Sequence, residues 1–193
     1  MNAIRRFWGI DDQERRKWQD PEAILTETGL KSGDTFLDIG CGQGFFTLPA
    51  ARIVGKMGRV YALDVDEGFI TKLKASAERE GLTNISITVG KAEEMTLCDA
   101  CADILFFGIV LHDFNDPAKV LRNARRMLKP EGRLANLDWK KIEMAFGPPV
   151  QRRFSEEEAM RLIESAGFKI EALKEMGLYH YLILARISQS PRA

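Results

Sequence analysis

Seven consecutive residues carry the clearest chemical signal: Asp38, Ile39, Gly40, Cys41, Gly42, Gln43 and Gly44. Glycines at alternate positions permit left-handed backbone and let the main chain approach a ligand closely. A helix following such a turn offers unpaired N–H groups that favour an anionic group. Asp38 can oppose a cation, directly or through water. A ligand bearing both a carboxylate and an ammonium satisfies the two features together. Asp64 stands 20 residues beyond Gly44, a spacing at which a strand-end carboxylate can accept both hydroxyls of a ribose. A third segment, Gly90, Lys91, Ala92, Glu93 and Glu94, can pair its backbone with an adenine edge, with Val65 over one face of the ring. The backbone at Gly108 can hold an ammonium.

A second group of residues suits proton transfer and substrate contact. His112 is expected on the functional edge of the sheet, and imidazole titrates near neutrality. It is the candidate for a catalytic or substrate-orienting role, against the plainer reading that it caps a turn or packs beneath a helix. Asp113 is its neighbour in sequence. Asp138, at the end of a strand, and the rigid turn Gly147, Pro148 and Pro149 can border a substrate pocket. Phe7, Trp8 and Trp18 are candidates for a lid that excludes water, or for docked core. His180, in a terminal strand, reads as structural. Cys98 and Cys101 are two residues of a short loop; one such pair supplies only two metal ligands, and no second Cys/His pair completes a zinc site. They read as two thiols, and no metal is expected.

These residues need an alternating α/β framework. The first 20 residues read as an amphipathic helix, and Asp20 and Pro21 start a short helix closed by Gly29. The strands are read at Thr35 to Ile39, Arg59 to Leu63, Ile85 to Val89, Asp103 to Gly108, Arg133 to Trp139, Phe168 to Leu173 and Tyr179 to Arg186. Lys129 to Gly132 is expected as a turn into the fifth. Helices are read after the Gly40 to Gly44 turn, with Pro49 in the first turn, to about Val54, after the cap Asp66, after Asp116 and Pro117, and after the capping box Ser155 to Glu158. The apolar run of the fourth strand marks a sheet centre buried on both faces. The turn between the last two strands is too short for a crossover helix, so they must be antiparallel. Residues 1–29 are read as an N-terminal helical lid segment, 30–187 as the domain and 188–193 as a tail.

With these elements in place the sequence resembles the class I methyltransferases, and more narrowly the ubiquinone/menaquinone-biosynthesis group of small-molecule enzymes. Asp38 to Gly44 matches the D-x-G-x-G-x-G motif, Tyr61 to Asp64 the acidic ribose motif, and Ile104 to Phe114 and Leu128 to Leu134 the later motifs. The resemblance covers roughly residues 30 to 186. It implies a Rossmann-like, seven-stranded mixed sheet of order 3-2-1-4-5-7-6, its last strand antiparallel, with helices on both faces. It also implies an S-adenosyl-L-methionine site and methyl transfer to a small apolar or aromatic acceptor through O, C or S. The cofactor contacts then fall on Asp38, Gly40, Cys41, Gly42, Gly44, Asp64, Val65, Ala92, Glu93 and Gly108. Trp8, Trp18, His112 and Asp138 fall on the substrate side. One departure is Lys91, where such families often have Asp; a lysine cannot accept from the adenine amino group.

Composition narrows the alternatives. The 193 residues carry 28 Lys+Arg and 28 Asp+Glu, a net charge of zero that argues against nucleic-acid binding. No apolar run is long enough to span a bilayer, and three sparse cysteines suit the cytoplasm. An NAD-dependent oxidoreductase is disfavoured because its fingerprint needs glycine three residues after Gly42, where Phe45 stands. A non-catalytic methyltransferase-like binding partner, and a metalloid or thiol methyltransferase, remain as alternatives.

Overall fold

The computed structural model describes residues 12–188. Its sheet contains β1 (Thr35–Ile39), β2 (Arg59–Asp64), β3 (Ile85–Val89), β4 (Ala102–Gly108), β5 (Leu128–Trp139), β6 (Phe168–Met176) and β7 (His180–Ile187). The order is β3-β2-β1-β4-β5-β7-β6. The first five strands pair in parallel, and β7 runs antiparallel to both β5 and β6. This is the expected topology. The order reverses between β1 and β4, so the crevice at their carboxyl ends is where an open α/β sheet accepts a ligand.

The helices are α1 (Asp12–Arg16), α2 (Pro21–Glu27), α3 (Thr47–Val54), α4 (Glu67–Arg79), α5 (Pro117–Met127) and α6 (Glu156–Ser165). Their starts follow from local chemistry. Asp20, Asp66 and Asp116 accept from backbone N–H groups at the openings of α2, α4 and α5, and Ser155 and Glu158 form the expected capping box. Such a cap is worth about 1 kcal/mol.

Two apolar layers cover the sheet. On one face Leu37, Leu105 and Phe107 pack with Val120 and Leu121 of α5 and Ile163 of α6. On the other Phe36, Ile104 and Phe106 pack with Leu25 of α2 and Val54 of α3. Alternate β4 residues therefore enter opposite layers, which explains its unbroken apolar run.

The turn after β1 extends two residues past Gly44, to Phe46, and α3 starts at Thr47 with Pro49 in its first turn, as expected. Two boundaries differ from the sequence expectation, at β5 and at the first helix. β5 starts at Leu128: Ala102 pairs with Leu128 and Ile104 with Arg133, so the expected turn at residues 129–132 is a bulge inside the strand. Within the expected first helix, α1 stops at Arg16, and residues 1–11 lie outside the described residues.

Candidate functional site

The bend after β1 is shaped by glycine. Gly40, Gly42 and Gly44 have φ of +78°, +54° and +97°. A Cβ on Gly40 would stand 2.5 Å from Val110 Cγ2, and one on Gly44 would stand 2.5 Å from Leu73 Cδ1. The first contact brings the bend against the β4 exit, and the second seats it on α4. Gly40 N–H and Cys41 N–H both donate to the Leu63 carbonyl, at 2.7 and 3.0 Å. The bend is thereby tied to the end of β2, where Asp64 stands.

Asp64 is held rather than free to swing. Its Oδ2 accepts from Gly42 N–H at 2.8 Å and its Oδ1 from Asp66 N–H at 3.0 Å. Each oxygen keeps a further lone pair for a ligand. Asp38 lies behind the bend, 1% exposed, and accepts the Thr47 hydroxyl at 2.6 Å. Burial pushes its pKa up to about 7, against the opposing Thr47 hydrogen bond and with a smaller upward push from Asp64. Cys41 is buried, and burial followed by the Asp38 and Asp64 charges pushes its thiol far up; it is not a nucleophile here.

Beside this bend opens a cavity of about 390 Å³. Gly40, Asp64, Val65, Ala92 and Glu93 line it, so five of the expected contact residues meet in one space. Val65 is 61% exposed at its edge, available to cover a planar ring. Asp38, Cys41, Gly42, Gly44 and Gly108 frame the site instead of lining this cavity. Gly108 has no room for a side chain, since a Cβ would meet the rings of Phe106 and Phe46 at 2.8 and 2.9 Å. Lys91 also lines this cavity and pairs with Glu94 at 3.4 Å.

Two residues missed in the sequence reading hold the loop after β3. Asn123 Nδ2 donates to the carbonyls of Ala92 and Glu93 at 2.9 and 3.1 Å. Asn115 N–H donates to Glu93 Oε1 at 3.1 Å. The signal for Asn123 was its place on the apolar stripe of α5, three residues after Val120 and four before Met127.

The β4 exit carries the second group. Ile109 is buried with φ +63°, a left-handed conformation that a β-branched residue rarely adopts. Its N–H donates to the Leu137 carbonyl at 2.8 Å. Such strain persists where surroundings over-determine the backbone, as functional sites often require. A 3₁₀ turn, Leu111–Asp113, follows. It places His112 Nδ1 2.7 Å from Asp138 Oδ1, with the two side chains 2% and 1% exposed. Asp138 Oδ1 also accepts from Trp139 N–H, and its buried Oδ2 has no partner among the described residues. Nδ1–H donating to Asp138 leaves Nε2 as the acceptor of a neutral ring. Burial lowers the His112 pKa, but the Asp138 charge and hydrogen bond, with Asp113, outweigh it and the net shift is upward. Asp113 Oδ1 lies 3.6 Å from His112 Nε2 and is itself paired with Arg152 at 2.7 Å.

The aromatic residues divide. Trp18 stacks on His180 with ring centres 5.6 Å apart and planes 9° apart, and it also contacts Trp139 and Phe146. His180 is buried, and burial followed by the Arg15, Arg153 and Lys140 charges pushes its pKa down to about 3. It is a neutral packing residue, as expected. Trp8 and Phe7 lie outside the described residues. Arg153, also missed in the sequence, is 3% exposed and donates to the carbonyls of Lys140, Ile142, Phe146 and Pro148. A single guanidinium therefore shapes the loop that contains the Gly147, Pro148 and Pro149 turn.

Cys98 and Cys101 correct the expectation of two thiols: they form a disulfide. Beside them Ala100 N–H and Cys101 N–H donate to the carbonyls of Arg126 and Met127. Among the described residues there is no cluster of His, Cys, Asp and Glu suited to a metal, and no helix long and apolar enough to cross a membrane.

The chain is similar to known methyltransferases in sequence and fold. A family model described as a methyltransferase domain matches residues 30–170. The demethylmenaquinone methyltransferase of Bacillus subtilis is 28% identical over 144 residues, covering 75% of this chain and 59% of that protein. The ubiquinone/menaquinone biosynthesis C-methyltransferase UbiE of Hydrogenovibrio crunogenus is 31% identical over 143 residues, covering 74% and 54%. The chain thus spans less than two thirds of the length of these relatives. A solved S-adenosylmethionine-dependent methyltransferase from Aquifex aeolicus superimposes with a TM-score of 0.88 at 34% identity, covering 97% of this chain and 99% of that one.

Proposed function

We propose, for a chain that belongs to the methyltransferase-domain family, that it binds S-adenosyl-L-methionine beside the β1 bend and methylates a small acceptor that gives up a proton. The observation that carries this reading is the meeting of a side-chain-free backbone at Gly40, a clamped carboxylate at Asp64 and an exposed apolar edge at Val65 around one cavity. The residues fit the group by their chemistry. Asp64 would accept the ribose hydroxyls, Val65 would cover the adenine, and the loop at Ala92 and Glu93 would meet its edge. The bend's backbone and buried Asp38 would serve the carboxylate and ammonium of the amino-acid end. When bound, the cofactor supplies a methyl group on a neutral, good leaving group.

The protein's remaining tasks are alignment, exclusion of water and management of one proton. We assign the proton to His112. Asp138 holds its Nδ1–H, so Nε2 takes the proton that the acceptor loses, and the buried Asp138 charge stabilises the imidazolium that forms. This favours acceptors that methylate at O, C or S with loss of a proton, such as quinols, phenols and thiols. The quinone-methylating relatives support such an acceptor. The Arg153-bound loop and the Trp18 region would border the acceptor, and residues 1–29 would act as its cap. A cytoplasmic setting belongs to the same reading.

The test is calorimetry followed by a labelled methyl-transfer screen over quinols, phenols, thiols and arsenite. The expected result is S-adenosylmethionine binding without NADH binding, and transfer to a protic acceptor. Binding of NADH with none of S-adenosylmethionine overturns the cofactor reading.

A further inference from the structure

The disulfide lies at the far end of β4 from the cavity, yet two routes connect it to the cavity wall. The short loop that it closes caps the end of α5. Ala100 N–H and Cys101 N–H donate to the carbonyls of Arg126 and Met127 at 2.8 and 3.0 Å. Those carbonyls belong to the last turn of a helix and would otherwise lack partners. Leu97 N–H adds a contact to Met127 Sδ at 3.2 Å. One turn earlier on the same helix, Asn123 holds the carbonyls of Ala92 and Glu93, which line the cavity. The second route is the chain itself. Only residues 95–97 separate Glu94 from Cys98, and Met95 lies so close to Gly90 that a Cβ there would sit 2.1 Å from its sulfur. Met95 and Leu97 both pack on the main apolar layer.

Inside the closed loop Ala100 has φ +45°, a left-handed conformation that costs an alanine energy. It is solvent-exposed, so side-chain packing does not impose it. It lies between the two cross-linked residues, and its N–H is one of the two capping donors. Opening the cross-link would remove one constraint on this conformation.

We propose that Cys98 and Cys101 form a reversible thiol–disulfide site whose closed form holds the loop after β3 in its ligand-binding geometry. A dithiol of the thioredoxin or dithiothreitol class opens it. Its thiolate attacks one sulfur, the S–S bond breaks, and the second sulfur leaves as a thiolate that takes a proton. The reductant's other thiol then displaces the mixed disulfide and leaves as a cyclic disulfide, with two thiols on the protein. In a thiol-rich compartment this exchange ties occupancy of the nucleoside site to redox state. The proposal rests on the cofactor reading in one respect: the ligand whose affinity moves is the adenosyl compound.

The experiment compares the full chain after oxidised glutathione with the same chain after dithiothreitol. Thiols are counted in denaturant under acid quench, and S-adenosylhomocysteine is titrated by calorimetry. The count should rise from one, Cys41, to three. The oxidised form should bind roughly three- to tenfold more tightly. The C98S/C101S double variant should bind like the reduced form and ignore dithiothreitol. Three thiols after oxidation, or equal affinities in the two forms, overturn the proposal while leaving the cofactor reading intact. If neither form binds, the cofactor reading fails, and hydrogen exchange decides the switch. Faster exchange at residues 90–101 and in α5 on reduction supports it; identical exchange overturns it.

Discussion

The two sides of the crevice are built by different means. The side facing β2 and β3 is made by backbone: a glycine bend, a strand-end carboxylate clamped by N–H groups, and a loop whose carbonyls are tied down. The side facing β5 is made by buried side chains that meet across the fold: His112 with Asp138, and Arg153 with four loop carbonyls. The first side recognises a constant ligand and can be short-range and rigid. The second, on the proposed reading, faces the acceptor, and its His112 and Asp138 stand 26 positions apart in the chain. The comparison predicts that damage on one side leaves the other's function intact.

The largest separation is expected from His112→Ala. Losing a general base lowers turnover by about 10²- to 10⁴-fold, while S-adenosylmethionine affinity stays unchanged. Steady-state rates and calorimetry on the same preparation check this. Full turnover would remove His112 from the mechanism, and lost cofactor affinity would erase the distinction between the two sides. The pH response has a defined sign. The His112 pKa is raised, so the neutral base disappears as pH falls through that raised value, and the wild-type rate should fall with it. Stability runs the other way: the charged pair with Asp138 contributes fully below the unfolded value of about 6.5 and is lost as pH rises through the folded one.

Asp64→Ala should invert the pattern. It removes hydrogen bonds to a desolvated ligand and should weaken binding by about 1–3 kcal/mol. With saturating cofactor, turnover should recover. Unchanged affinity would reject the ribose role. A smaller loss is expected from Asn123→Ala, which frees two loop carbonyls without touching the ligand. A net hydrogen bond is worth about 0.5–1.5 kcal/mol, and only part of that passes to the ligand, so a few-fold weaker affinity is the expected result. An effect as large as that of Asp64→Ala would show that Asn123 contacts the ligand itself.

The same contrast explains what could be read before the fold was known. Gly40, Asp64 and Val65 were legible because their roles depend on strand ends and backbone freedom, which spacing reveals. The antiparallel pairing of β6 with β7 was legible because the turn between them is too short for a crossover helix, whereas the order of the sheet followed from the family resemblance. Arg153 was not legible: nothing in a run of charged residues around it distinguishes the one guanidinium that turns inward. The link between His112 and Asp138 required the register of β4 on β5, which the bulge at residues 129–132 sets. Cys98 and Cys101 were read by metal-ligand arithmetic, which does not register how the loop between them folds against the end of α5.

The subtlest test concerns Asp38, which belongs to the backbone-built side but ionises like a residue of the other. Its pKa is pushed from about 3.9 in an unfolded chain to about 7 in the fold by burial. The folded chain therefore holds a proton there between those values, and the stability it lends is complete below about pH 4 and lost as pH rises through 7. An ammonium arriving near the bend favours the carboxylate and lowers that pKa. Binding at pH 6 should then release most of a proton, and binding at pH 8.5 almost none. Calorimetry in two buffers of different ionisation enthalpy measures this directly, and Asp38→Asn should abolish the difference. A binding heat independent of buffer at pH 6 would mean that Asp38 supports the bend through Thr47 alone and does not sense the ligand's charge.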